Sequence, residues 1–195
     1  MKVLYSSKEI RKAVKRLFAA PAPDDRRVAL VAYVGAQASK FLPDPNGLEL
    51  ICALEPGATS ARALELLKNN GARIRQSNRL HMKVYFSSAR GAVICSANAS
   101  SNGLSGAGLK EAGVLVDAQE VDIARLIAYA KPRSISAVDL KMLELAGGQL
   151  AAKLQRKIPE DCRIERTFAE WESAKYRCPW KIQGFDGEAD RKSVV

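Results

Sequence analysis

The stretch LHMKVYFSSARGAVICSAN, running from Leu80 to Asn98, decides how the rest of the chain is read. Two runs of strand composition, Leu80 to Phe86 and Gly91 to Ala97, flank the four-residue connection Ser87-Ser88-Ala89-Arg90. Short connections between such runs predict a β-hairpin. Side chains alternate along a strand, so His81 and Lys83 emerge on one face, and Ser96 and Asn98 do the same on the next strand. With Phe86 facing Gly91 across the turn, antiparallel pairing sets His81 opposite Ser96. An imidazole, an ammonium, a hydroxyl and a carboxamide then meet near one end of the hairpin. Such a set can attack a phosphorus centre and hold its non-bridging oxygens.

Towards the N-terminus, Val3 to Tyr5 reads as a short strand. A helix follows over about Lys8 to Ala19, with Ser6 and Glu9 as a capping box and Pro21 and Pro23 as its stop. The apolar, β-branched run Arg27 to Val34 predicts a central buried strand, and Leu48 to Leu54 another. Thr59 is expected to cap an amphipathic helix through Ala63, Leu64, Leu66 and Leu67, ended by Gly71. Ala72 to Arg75 reads as the next strand. Alternating strands and helices of this kind predict a layered α/β domain.

Beyond the hairpin, Ser100 to Gly108 is rich in glycine, serine and asparagine and is expected to be a flexible loop near the site. Its glycines, Gly103, Gly106 and Gly108, do not match a dinucleotide fingerprint. A strand at Ala112 to Val116 and a helix over about Gln119 to Lys131 follow. Pro132 marks the expected end of the domain, giving residues 1–132 as the catalytic unit and 133–195 as a mainly helical and irregular extension. That extension opens with a helix from Ala137 to about Lys157, N-capped by Ser136 and weakened by Gly147 and Gly148. Further on, Phe168, Trp171, Tyr176, Trp180 and Phe185 are interleaved with Lys175, Arg177 and Lys181. Aromatics so placed can stack on bases, or, more ordinarily, pin a tail onto a domain.

The chain has 195 residues, 47% of them apolar, enough for one principal domain and an extension. Its four cysteines, Cys52, Cys95, Cys162 and Cys178, show no C-x-x-C pairing, and with a single histidine no zinc-type cluster is expected. They read as reduced thiols of a cytoplasmic protein, Cys95 as core and not nucleophile. The apolar run Val3 to Tyr5 is too short for a signal peptide, and no stretch is long and apolar enough to span a bilayer, so no membrane partner is expected. A net charge of +10 favours a polyanion. The excess is densest just before and within the hairpin, where Arg62, Lys68, Arg73, Arg75, Arg79, Lys83 and Arg90 face one acid, Glu65. A solvated basic surface would look alike; its place beside the motif favours binding, with Arg73, Arg75 and Arg79 as candidates.

His81-Met82-Lys83 followed by Ser96-Ala97-Asn98 resembles the H-x-K-x4-D-x6-G-S-x-N signature of the phospholipase D superfamily, with its spacing reproduced without a gap. The likeness runs from the N-terminus to about Pro132 and includes Ser101 to Leu104 and Glu111, which opens the next strand. Ser88 stands where the family has aspartate, a residue with a supporting role there, and Cys95 where it has glycine. The resemblance implies a mixed β-sheet flanked by helices and a phosphodiesterase without metal or other cofactor. His81 would be the nucleophile, forming a phosphohistidine. Lys83, Asn98 and Ser96 would stabilise the phosphoryl oxygens, and Glu111 would hold the other ring nitrogen of His81. Two histidines are used in this chemistry and this chain has one, so a homodimer with a shared site is implied.

The residues also admit plainer roles: Lys83 as an edge-strand charge, Ser96 and Asn98 as turn formers, Glu111 as a surface carboxylate. Among functions, a nuclease acting on DNA or RNA leads, with Asn102 in the glycine-rich segment as a further contact. The alternatives are a phospholipase or phosphatidyltransferase, and a non-catalytic nucleic-acid-binding module suggested by Ser88 and Cys95.

Overall fold

The computed structural model describes residues 1–106 and 108–157, the side chains of 153–157 excepted. The chain divides into two compact units, Met1–Lys153 and Leu154–Val195. The interleaved aromatics from Phe168 to Phe185, with Cys162 and Cys178, lie outside the described residues.

The first unit begins with β1 (Lys2–Leu4) and α1 (Ser7–Phe18). The Ser6 hydroxyl accepts from Glu9 N–H, and the Glu9 carboxylate accepts from Tyr5 N–H, so the expected capping box closes one residue early on its return arm. β2 (Arg27–Val31) is buried along its whole length, as a strand covered on both faces must be. It is shorter than the apolar run suggests, and Val34 contributes only a lone parallel bridge to Ala99. β3 (Glu49–Cys52), α2 (Ala61–Asn69) and β4 (Arg73–Gln76) form a crossover unit parallel to β2. Helix α2 is capped by Ser60, whose hydroxyl accepts from Ala63 N–H. Thr59, the expected cap, instead donates to the Ala53 carbonyl, buried under the end of β3. A nine-residue helix is marginal alone; burial of Ala63, Leu64 and Leu67 stabilises it, while Leu66 stays exposed.

The hairpin follows as β5 (Lys83–Ser87) and β6 (Gly91–Cys95), then a short helix α3 (Ser101–Leu104), β7 (Gly113–Val116), α4 (Ile123–Ala130), β8 (Arg133–Ser134) and α5 (Ala137–Lys157). The strands make one mixed sheet in the order β1-β7-β6-β5-β2-β3-β4-β8. Alternation splits the core in two. Ala29, Val31, Leu50, Tyr85 and Val93 pack under α1 and α2, whereas Val28, Leu30, Ile51, Val84 and Phe86 pack with Ile123 of α4 on the other face.

Three expectations change. Ser100 to Gly108 is not wholly a loop, because Ser100 caps α3 by accepting from Gly103 N–H. Pro132 is not a break in packing: β8 pairs with β4, and Leu140 and Leu143 of α5 join the first core. The hairpin register differs by one residue. Ser87 faces Gly91 and Phe86 faces Ala92, so the connection has three residues, Ser88 to Arg90. A slip of one residue reassigns every facing pair.

Two features hold this register. Gly91 has φ +103°, and a Cβ there would stand 2.4 Å from the Val116 carbonyl oxygen, so only glycine fits. The Asp25 carboxylate accepts from the Ser87 hydroxyl (2.8 Å), the Ser88 hydroxyl (3.2 Å) and Ala89 N–H (3.1 Å). Ser87 is fully buried, so without Asp25 its hydroxyl loses a charged acceptor. Asp25→Ala is expected to cost about 2 kcal/mol, which lowers the thermal midpoint by roughly 4 to 8 °C in a domain of this size. Thermal denaturation followed by circular dichroism checks this; an unchanged midpoint removes Asp25 from the account.

Candidate active site

The C-terminal ends of β2 and β3, the start of β5 and the end of β6 lie at one end of the sheet, since Val31 pairs with Lys83 and Val84 with Ile94. Open α/β sheets commonly place their ligand sites at the carboxyl ends of parallel strands. The motif residues gather here.

Lys83 opens β5, on the α1 face with Tyr85, and is 8% exposed. Its ammonium donates to the His81 carbonyl (2.9 Å) and lies 2.9 Å from His81 Nε2. An ammonium has no lone pair, so in this contact Nε2 takes the acceptor role. His81 itself is exposed and precedes the strand, contrary to its expected place within one. Continued past β5, the observed register would set His81 opposite Ala97 and not Ser96, so the expected pairing of His81 with Ser96 is not formed.

Ser96 instead turns outwards beyond the end of β6. Its hydroxyl donates to Glu111, in a short hydrogen bond, and accepts from Ala112 N–H. Glu111 therefore bonds to Ser96 where the sequence suggested a ring nitrogen of His81, and it lies just before β7, not at its start. Asn98 is held by Tyr33, whose N–H donates to Asn98 Oδ1 at 3.0 Å. The buried Tyr85 hydroxyl donates to the Ala97 carbonyl and fixes the segment between Ser96 and Asn98.

Lys83 has its pKa lowered from 10.5, first by burial, with the Glu111 carboxylate and Cys95 acting in the opposite direction. Burial pushes the Cys95 thiol up to about 12, and its Sγ lies 3.7 Å from the Ala97 carbonyl, so it stays protonated. Burial likewise pushes Cys52 to about 12. Among the described residues no group of three or more His, Cys, Asp or Glu side chains is placed to hold a metal ion.

A cleft of about 770 Å³ adjoins the cluster, with Asn98, Glu111 and Asn102 among its walls. Of the expected basic patch, Arg79 is exposed just ahead of Leu80, with φ +58°. Arg75 is ion-paired with Glu49 at 3.0 Å and donates to the Pro132 carbonyl. Arg73 is exposed at the start of β4, at the other end of the strand from the motif. The patch is thus divided. Tyr33 and Arg62, which line the cleft, were not singled out for the site; the signal for Tyr33 was an aromatic with a polar tip at the end of a buried parallel strand.

No model of a known protein family matches the chain, and no curated protein does. Among solved structures it is similar to that of Nuc from Salmonella typhimurium, described as a phospholipase D family member. The TM-score is 0.50 at 15% sequence identity, over 70% of this chain and 97% of that one. The shared feature is the phospholipase D-like fold, a mixed sheet flanked by helices.

The environment of Lys83 has a measurable consequence. A lysine whose folded value lies below its unfolded one binds fewer protons when folded, so it favours the folded state increasingly as pH rises through that window. Because Glu111 opposes the effect of burial, Glu111→Gln is expected to lower the Lys83 value further. Lysine-selective NMR titration reads both: Lys83 titrating above 10.5, or moving upwards in Glu111→Gln, contradicts the assigned causes.

Proposed function

We propose that the chain is a phosphodiesterase, acting on nucleic acid by metal-independent phosphohistidine chemistry at a site shared by two copies. The observation that carries this reading is the Lys83 ammonium at 2.9 Å from His81 Nε2, with Ser96, Asn98 and Glu111 at the same end of the sheet. A lysine so placed binds a phosphoryl oxygen in line with the ring nitrogen. The non-catalytic alternative was motivated by Ser88 in place of aspartate, and Asp25 brings a carboxylate to that turn.

Substrate phosphate would replace Nε2 as acceptor of the Lys83 N–H. Nε2 then attacks phosphorus, forming the N–P bond while the P–O bond to the leaving group breaks. That oxygen takes its proton from His81 of the second copy. Water, giving a proton back to that same imidazole, attacks phosphorus and breaks the N–P bond, which restores both rings. Lys83 and the Asn98 amide stabilise charge on the oxygens. Glu111, through Ser96, orients this side of the site and keeps the Lys83 ammonium charged.

Nucleic acid is favoured as substrate by the net charge of +10 and by Arg62 and Arg79 near the cluster. Among the described residues no helix is long and apolar enough to cross a membrane. Cys52 and Cys95 are free thiols, consistent with placing the protein in the cytoplasm. For the second copy, Val3, Val114 and Ile94 stand in one register row across β1, β7 and β6. Val3 and Ile94 are 39% and 40% exposed, and the row runs on into the core at Val84, next to Lys83 in sequence. Isologous burial of this exposed row would pair two copies across a two-fold axis.

Hydrolysis of oligonucleotides is expected to survive excess EDTA and to be lost in His81→Ala. Mixed dimers of wild-type and His81→Ala subunits are expected to be inactive, since each site needs both rings. Ile94→Asp is expected to give a monomer by light scattering and to lose activity with it. Strict dependence on a divalent ion would sink the mechanism, and a fully active monomer or half-active mixed dimers would sink the shared site.

A further inference from the structure

The cleft beside the motif is more than the margin of a phosphate site. Its volume of about 770 Å³ falls within the range that encloses small organic ligands, roughly 300 to 1,000 Å³. Its walls carry one cationic side chain, Arg62, against two carboxylates, Glu111 and Glu144. A groove that tracks a chain of phosphates needs an excess of cations; this one lacks it. What it offers is Tyr33, half-buried at the end of β2, the apolar Leu143, and the amides of Asn98 and Asn102. An aromatic ring, an apolar wall and neutral hydrogen-bonding groups suit a sugar and a base.

Gly147 points the same way. It lies inside α5, where glycine weakens a helix. A Cβ at Gly147 would meet only the Gly57 backbone nitrogen, at 3.7 Å, an ordinary contact. Backbone packing therefore does not require glycine here. Gly147 lines the cleft, and what its missing side chain preserves is room in it. Gly35, which also lines the cleft, differs: a Cβ there would stand 2.8 Å from Ser100 Cβ.

We infer that this cleft takes one unstacked nucleoside of the strand being cut, next to the phosphate held by Lys83 and Asn98, so that single-stranded nucleic acid is the preferred substrate. The inference rests on the nuclease reading above and deepens it. A base in a duplex must leave the stack before it can enter such a pocket, at an energetic cost, whereas a single strand presents it readily.

The test uses the full chain, a fluorescently labelled single-stranded decanucleotide, and its duplex, compared by anisotropy at one salt concentration. Two variants narrow the cleft from different walls, Gly147→Phe and Ala36→Trp, each checked by circular dichroism, so that a folding failure in one leaves the other to decide. Wild type is expected to bind the single strand roughly tenfold or more tightly than the duplex, the scale of one base stacked on an aromatic. Both variants are expected to lose that margin. Their kcat/KM for the oligonucleotide should also fall relative to that for bis(p-nitrophenyl) phosphate, a diester with no nucleoside. Equal binding of duplex and single strand, or a margin retained in the folded variants, overturns the inference. A wild type that hydrolyses neither diester yet shows the margin, lost on narrowing, sinks the nuclease reading and leaves the cleft's occupant standing.

Discussion

The antiparallel pairing of β5 with β6 is the constraint on which the site depends. Ser87 opposite Gly91 sets the position of every later pair, and with it the place of Lys83 at the mouth of the sheet and the exit of the chain towards Ser96 and Asn98. The register is not free to slip. Gly91 sits against the Val116 carbonyl, Asp25 occupies the turn, and Tyr85, buried under Phe18 at a ring separation of 6.3 Å, ties its hydroxyl to Ala97. A shift of one residue would exchange the two faces, burying Val84 and Phe86 under the wrong helices and moving Lys83 to the α4 face.

Two buried cations show how differently the fold treats charge. Arg27, 3% exposed, spends its guanidinium on backbone carbonyls of Phe18, Asp44 and Asn46, and thereby ties the end of α1 to the connection between β2 and β3. It is structural, with its hydrogen bonds turned inwards. Lys83 is nearly as buried, but its acceptors are the carbonyl and ring nitrogen of His81. In the proposed reaction, those are the partners that a phosphate oxygen would displace. The Glu111 carboxylate acts on Lys83 through space while hydrogen-bonded to Ser96, so it supports the charge without occupying the ammonium's donors.

The turn at Ser88 draws its carboxylate from outside the hairpin. Where the phospholipase D signature has aspartate, the serine hydroxyl donates to Asp25 and accepts from Arg26 N–H. The carboxylate at this turn thus comes from the segment ahead of β2, far away in sequence and adjacent in space. No local reading of the hairpin could show it, because the pairing of β2 with β5 creates the contact.

The chain's own pattern determined the layered α/β class, the central strand at Arg27, the helix over Ala137–Lys157 and the motif from His81 to Asn98. Apolar periodicity, capping residues and spacing are local quantities, written in consecutive residues. Tertiary structure alone decided what those residues touch. Ser60 and not Thr59 caps α2, because the Thr59 hydroxyl is claimed by the Ala53 carbonyl. Glu111 bonds to Ser96 and not to His81, and Arg75 is drawn to Glu49 and away from the site. The cleft is assembled from the segment after β2 and from α2, α3 and α5, segments that no sequence window contains together. Such contacts arise where strands distant along the chain are brought side by side, and their energies depend on register and burial that only the folded sheet sets.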